Sequence, residues 1–441
     1  MEICNWGNYP RIDATLIDFD NAEDLLLPLA EKKSLIARGL GRCYGDSALN
    51  ETIISTLRFN RLLAFDDNTG VLTCEAGVSL KEIIDVFMPR GWFLPVTPGT
   101  KYVTVGGAIA SDVHGKNHHN AGTFSNHLIS VAVLLSSGSI QSCSRHENGD
   151  LFWSTCGGMG MTGIIVQATF QLIPIPSSYI VQETLRAGNL GQIMELFETS
   201  IDWTYTVAWI DCLTTGKTQG RSILMRGKHA KAENLTQWKE ATEPFAIKAA
   251  SKINIPVFMP NWILSNSSVR LFNSLYYNKA PRHTQRSITD YDKFFYPLDS
   301  LINWNRIYGK RGFTQYQFVL PKEGSGKGLK KILARISAAG LGSFLGVLKL
   351  FGKQNNLISF PMEGYTLALD FPINERLFPF LDTLDDIVLD YGGRLYLTKD
   401  VRMSERIFRG GYKKSEKFIA LKHRYDPQNK FQSMQSQRLG I

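Results

Sequence analysis

What this chain lacks narrows its class before any motif is considered. Its six cysteines, Cys4, Cys43, Cys74, Cys143, Cys156 and Cys212, are scattered over 441 residues with no CxxC pair. That excludes zinc-ribbon spacings and a disulfide framework, and it points to a reducing cytoplasm. No run of about 18 uninterrupted apolar residues occurs, and Met1-Glu2-Ile3-Cys4-Asn5-Trp6 lacks the basic start and apolar stretch of a signal peptide. Neither a membrane span nor secretion by that route is expected. Apolar residues make up 44% and charged residues 20%, so disorder and coiled-coil readings are disfavoured. At roughly 100–200 residues per domain, the length argues for two domains or for one with a large insertion.

The excess of 49 Lys and Arg over 40 Asp and Glu is concentrated in two places. Arg221–Arg286 holds 11 basic and 3 acidic residues, and Val401–Ile441 holds 10 and 3. The two stretches thus carry +8 and +7, while the rest sums to −6. Concentrated charge implies an acidic partner. No nucleic-acid reader motif accompanies it, which leaves a phosphate-bearing substrate or an anionic membrane surface. Within Glu243–Arg286, Phe245, Ile247, Ile253, Ile255, Val257, Phe258, Trp262, Ile263 and Leu264 are interleaved with lysines and prolines, giving a segment that is apolar and basic together.

Residues 10–175 alternate short β-rich runs (Ser34–Ala37, Leu72–Ala76, Ile129–Leu135, Gly163–Pro174) with glycine-rich turns, and Ser79–Met88 has helical apolar spacing. Further along, Thr204–Cys212, Gln315–Leu320 and Tyr365–Phe371 read as strands, while Ser325–Ala339 and Leu377–Leu389 read as amphipathic helices. The class is α+β, with a second sheet backed by helices.

Three glycine clusters dominate the first part: Ala37–Asp46, Pro98-Gly99-Thr100 with Val105-Gly106-Gly107, and Gly157–Gly163. Closely spaced glycines let backbone amides approach a pyrophosphate. The third cluster matches GxGxxG, yet the β-branched run Ile164–Leu172 that follows reads as a strand rather than the helix a Rossmann site requires. The polar constellation Ser111-Asp112-Val113-His114-Gly115-Lys116-Asn117-His118-His119 has no carboxylate or cysteine at a usual ligand spacing, so a pocket beside a cofactor is expected there rather than a metal. In Gln315-Tyr316-Gln317, period-2 alternation puts both glutamines on one face of a strand.

Ala37–Asp46, the run from Pro98 to His119, and Leu151-Phe152-Trp153 through Gly163-Ile164-Ile165 resemble the FAD domain of the vanillyl-alcohol oxidase/p-cresol methylhydroxylase superfamily. Within it the chain is similar to oxidases of a polyprenyl-phosphate-linked ribose. The similarity continues through Trp209, Gln315–Val319, Lys349–Gly352, Leu369–Pro372 and Gly392–Asp400, and so spans nearly the whole chain. The resemblance implies an FAD-binding domain over residues 1–176, a substrate domain over 177–391 built on an antiparallel sheet, and a segment 392–441 returning to the FAD domain. It implies that Ala37, Arg38, Gly39, Leu40, Gly41, Arg42, Cys43, Tyr44, Gly45, Asp46 and Ser47 wrap the pyrophosphate. Gly99, Thr104, Val105, Gly106, Gly107, Ser111, Asp112, Val113, His114 and Ile165 would line the remaining cofactor, with Tyr396 nearby. Relatives that tether FAD have a histidine where this chain has Arg42, so noncovalent FAD is implied. Lys399, read as lying in a strand beyond Tyr396, would stand beside the flavin and the sugar hydroxyl. Lys116, Trp209, Gln315, Gln317, Lys349 and Phe351 would face the substrate. Mycobacterial-type relatives carry a cysteine where this chain has Ala368.

The activity implied is oxidation of the C2 hydroxyl of the lipid-linked ribose to the 2-keto sugar, half of an epimerisation towards an arabinose donor for cell-envelope glycan. An NAD(P)H-dependent keto-reductase would be the partner, on the inner face of the cytoplasmic membrane. Such chemistry needs a hydride acceptor, a base for the hydroxyl proton and a cation near the flavin. Lys399 fits the cation; His114 is preferred as base over Asp370 or a neutral lysine because imidazole titrates nearest neutrality. The alternatives are an alditol or aldonolactone oxidase acting on a soluble sugar, and a redox-silent flavin-binding subunit of a reductase complex.

Overall fold

The computed structural model describes residues 1–236, 243–247 and 252–441, so part of the apolar, basic segment (248–251) lies outside the described residues. Near the N-terminus, Thr15–Asp18, Thr52–Ser55 and Ile36–Arg38 form a parallel three-stranded sheet. Beside it stands an antiparallel five-stranded sheet in the order Ile140–Ser144, Leu128–Leu134, Ile164–Gln171, Val71–Glu75, Leu62–Asp66. Helix Leu80–Phe87 packs Leu80, Ile83, Ile84 and Phe87 into its core. That helix starts at Ser79, whose hydroxyl accepts from the Glu82 amide while Glu82 reaches back, a reciprocal cap. The strand after the third glycine cluster is as expected. Gly163 makes the close approach: a Cβ there would stand 2.5 Å from Val133 Cγ1.

The second sheet has eight antiparallel strands: Gln285–Asp290, Tyr179–Ala187, Ser222–His229, Tyr205–Ile210, Gly346–Phe351, Gly364–Pro372, Phe313–Pro321 and Arg394–Leu395. Period-2 alternation makes it two-sided. On one face, Tyr316, Phe318, Leu320, Leu348, Leu350, Leu367, Leu369 and Phe371 join helices Leu190–Glu198, Ser325–Ala339 and Leu377–Asp390 in one core. Gln315, Gln317, Val347, Lys349, Thr366 and Ala368 alternate with them and face a cavity instead.

The C-terminal residues run back against the first fifty. Leu35 bridges to Phe431, the Tyr44 amide donates to Thr398 O at 3.0 Å, and the Met434 amide donates to Leu49 O. Arg438 holds Asp46 through two nitrogens, at 3.1 and 2.9 Å, and reaches Asp400 at 2.9 Å. The expectation of a strand through Lys399 is corrected: the strand ends at Leu395, and Leu397–Lys399 is a 3-10 turn.

The arginines of the second basic stretch are not free positive charges, although among the described residues Lys413, Lys414, Lys417 and Lys430 have no carboxylate partner. All five of its arginines meet carboxylates: Arg402 meets Asp385, Arg406 meets Asp386, Arg409 meets Glu405, Arg424 meets Asp150, and Arg438 meets Asp46.

Removing one member of a buried ion pair strands the other charge in a low-dielectric site. Arg438→Ala should therefore lower stability by about 3 kcal/mol, read as a shift in the denaturant midpoint, and Arg438→Lys should recover less than half of that because one ammonium cannot span both carboxylates.

Candidate active site

A cavity of about 390 Å³ lies between the glycine-rich loops and the polar face of the eight-stranded sheet. Its floor is the loop from Ala37 to Tyr44 with Ser47. Among the described residues the backbone amides of Gly39, Leu40, Gly41 and Arg42 have no protein acceptor. The buried Ser47 hydroxyl has no partner either. Side chains are excluded where the loops meet: a Cβ on Gly39 would stand 2.2 Å from Thr104 Oγ1. At Gly99 a Cβ would meet nothing within 4 Å and would point into the open space. Unsatisfied donors along a loop with no side chains in the way form a cradle for an anion such as a diphosphate, so the residues present fit FAD.

The middle of the cavity is bordered by Thr104, Gly106, Gly107, Ser111, Val113, His114, Ile165 and Tyr396. The far wall is Gln315, Gln317, Lys349, Trp209 and Lys116, with Lys399 completing it. The Lys399 ammonium lies 3.5 Å above the Tyr44 ring. Burial pushes its pKa down, and the opposing charge of Asp370 partly restores it. Burial pulls Lys116 down to about 7 and Lys349 to about 8. The Lys116 ammonium donates to Phe294 O, whereas Lys349 has no hydrogen-bond or ion-pair partner among the described residues. Three lysines, each with its charge disfavoured by burial, thus meet in a site whose carboxylates, Asp370 behind the wall and Asp299 on it, are themselves pushed up by burial.

His114 is not the near-neutral group its residue type suggests. Burial, with Lys349, His118 and Lys399 close by, holds its pKa well below 6.5. Gln317 Nε2 lies 3.2 Å from His114 Nε2, so that ring nitrogen accepts and the proton belongs on Nδ1. The same Gln317 nitrogen is 3.3 Å from Thr366 Oγ1 and has a second acceptor available.

Several expected residues do not border the cavity. Asp370 stands behind the wall, accepting from Gln315 Nε2 at 2.6 Å and from the Tyr308 hydroxyl at 3.1 Å, so its effect reaches the cavity through Gln315 and Lys399. Asp112 is turned away by a φ of 40° and accepts instead from Asn356, Ser359 and the Ser125 amide. Phe351 packs on the His114 ring from behind, with centroids 4.8 Å apart. Val105 is fully in the core, and Gly45 and Asp46 turn towards the C-terminal segment. Residues not anticipated also line the space: Thr366, and Leu298, Asp299 and Trp304 from a segment of short turns. Alternation from Ala368 would have found Thr366; the turn segment carries no local signal.

With this geometry in hand, comparison with known proteins is informative. Residues 26–144 match the model of an FAD binding domain. The chain is 35% identical over 450 residues to decaprenylphosphoryl-beta-D-ribose oxidase of Mycolicibacterium smegmatis, covering 100% of this chain and 97% of that one. It is 31% identical over 375 residues to an uncharacterised protein of Streptomyces coelicolor, covering 82% of this chain and all of that one. A putative D-arabinono-1,4-lactone oxidase of Neurospora crassa matches at 26% over 144 residues, 32% of this chain and 26% of that one.

Because Lys116 and Lys349 hold their protons less tightly folded than unfolded, the unfolded chain binds more protons from about pH 7–8 up to the ordinary lysine range. Stability should rise with pH across that window, by at most about 1.4 kcal/mol per pH unit for each lysine. Lys349→Met should flatten the rise and melt above the parent at pH 7, read by thermal denaturation in phosphate-free buffer at constant ionic strength.

Proposed function

Because the chain belongs to the FAD-dependent oxidoreductase family of decaprenylphosphoryl-β-D-ribose oxidase, we propose that it oxidises the C2 hydroxyl of a polyprenyl-phosphate-linked ribose to the 2-keto sugar. The observation that carries the substrate reading is the convergence of Lys116, Lys349 and Lys399 on one cavity wall beside Gln315 and Gln317. Cations partly stripped of water and short of carboxylates select an anionic substrate, and the paired amides suit sugar hydroxyls. A neutral alditol or lactone would leave those charges unanswered.

When bound, FAD supplies the hydride acceptor. The free amides of Gly39–Arg42 and the Ser47 hydroxyl would hold its diphosphate, and Thr104, Gly107, Ile165 and Tyr396 would border the rest. Attachment would be noncovalent, because Arg42 stands where the resemblance puts the tethering histidine of covalent relatives; its guanidinium lies 4.1 Å from the Trp6 ring. Lys399 supplies positive charge where negative charge grows during the reaction. His114 takes the hydroxyl proton on Nε2. The burial that keeps the ring neutral keeps it an acceptor, and Gln317 can release it by turning to Thr366 Oγ1. The 2-keto product would pass to an NAD(P)H-dependent keto-reductase, completing an epimerisation towards an arabinose donor for cell-envelope glycan.

Acid precipitation should leave the yellow colour in the supernatant; colour kept in the pellet would refute the noncovalent assignment. Under anaerobic conditions a polyprenyl-phospho-ribose should bleach the flavin, and free alditols should not. Lys399→Ala should still purify yellow and folded yet reduce its flavin about 10²-fold more slowly, with little rescue by arginine. A near wild-type reduction rate with weaker substrate binding would reassign Lys399 as an anchor.

A further inference from the structure

Helix Asn266–Lys279 is attached to the protein by one side only. Val269 joins the core, Asn273 donates to Asp211 Oδ1 at 2.9 Å, and the Tyr277 hydroxyl donates to Ala187 O at 3.2 Å; these positions recur every fourth residue. On the opposite face, Leu271 and Leu275 are 62% and 63% exposed, and Trp262, in the turn Asn261–Leu264 just before the helix, is 72% exposed. A single exposed leucine means nothing, but two on one side of a helix, with an exposed tryptophan in the turn that leads into it, mark a surface that meets another apolar phase. The charge around them has one sign. From Lys252 to Arg286 there are five lysines and arginines and no aspartate or glutamate. Arg270 turns back to the protein, donating to Leu213 O at 3.2 Å, but among the described residues the exposed Lys279, Arg282 and Arg286 have no carboxylate partner, unlike the arginines of the C-terminal stretch.

We propose that this face docks on the surface of an anionic lipid bilayer, with Trp262, Leu271 and Leu275 entering the interface and the exposed Lys279, Arg282 and Arg286 facing the headgroups. Exposed apolar side chains followed in the chain by unpaired cations suit an interfacial helix, and a lipid surface supplies both complements at once. A protein partner would need a patch of opposite charge with its own apolar centre. The same helix also forms part of the cavity: Tyr276 lines it and packs on Trp209, with centroids 4.9 Å apart. The helix that carries the docking face therefore also forms part of the cavity wall. A substrate with a phosphate and a lipid tail could enter from the interface without its tail crossing water, and this consequence rests on the substrate reading above.

Docking can be measured without turnover. Purified flavin-loaded protein should cosediment with vesicles of phosphatidylcholine and phosphatidylglycerol, and only weakly with phosphatidylcholine alone. Binding should collapse as the salt concentration approaches about 1 M, where the screening length falls to about 3 Å. The triple variant Trp262→Ser, Leu271→Ser, Leu275→Ser should bind the anionic vesicles about tenfold or more weakly, while a short-chain glycosyl phosphate reduces its flavin at the parental rate. Equal binding to both vesicle types, or vesicle binding unchanged in the triple variant, would overturn the proposal. Failure of the parent to bind any vesicle would overturn it as well and leave the face to a protein partner. Vesicle binding without flavin reduction by any glycosyl phosphate would instead refute the substrate reading alone.

Discussion

Alternation along three adjacent strands, Phe313–Pro321, Gly364–Pro372 and Gly346–Phe351, sends every second side chain into an apolar core and the intervening ones into a polar cavity. Eight large apolar side chains on one face are each worth about 1.5–3 kcal/mol on burial, so together they fix the register by more than 10 kcal/mol. A slip of one residue would exchange the faces and drive Gln315, Gln317 and Lys349 into the core, at several kcal/mol for each unpaired polar group. The placement of the reacting groups thus follows from the packing on the side of the sheet they never touch. The helices behind the sheet contribute to function by making that register the only tenable one.

The cavity has the opposite economy. Lys116 and Lys349 sit where burial disfavours their charge, and the buried Asp370 is shared with Gln315, Tyr308 and Lys399. Such a site is less stable empty than an apolar packing of the same volume would be. Its cost is offset when an anion arrives, so the folding free energy left unclaimed here becomes binding free energy for an anionic ligand. His114 belongs to the same balance. The neighbouring lysines that lower its proton affinity keep it neutral, and so able to accept, until the hydroxyl proton is transferred.

Features of the site that repeat locally could be read in the chain. The glycine clusters mark the loops that approach the cofactor, and the spacing of Gln315 and Gln317 gives their shared face; both readings rest on two or three residues of context. Asp112 illustrates the limit: its neighbours Ser111 and Val113 border the cavity, and only the left-handed backbone at this residue turns it outwards. Phe351 and Asp370 act one layer further out, through His114 and Gln315, and no local pattern separates a wall residue from the residue behind it. The charge of the C-terminal stretch misleads for a related reason. Arg402 and Arg406 are answered by Asp385 and Asp386 on a helix some twenty positions earlier, and composition counts a cation whether or not it is paired.

The clasp between Arg438 and Asp46 spans 392 positions of sequence, and that between Asn50 and Gln432 spans 382. During synthesis at about 5–20 residues per second, the loop that cradles the diphosphate would emerge about 20–80 s before the residues that close behind it. Through that interval Asp46 has no counter-charge, and the edge of Leu35 is open to other strands. Completion of the cofactor cradle is therefore among the last events of folding. A ribosome that stalls anywhere in the second sheet leaves behind a chain with all its glycine loops and no means of closing them.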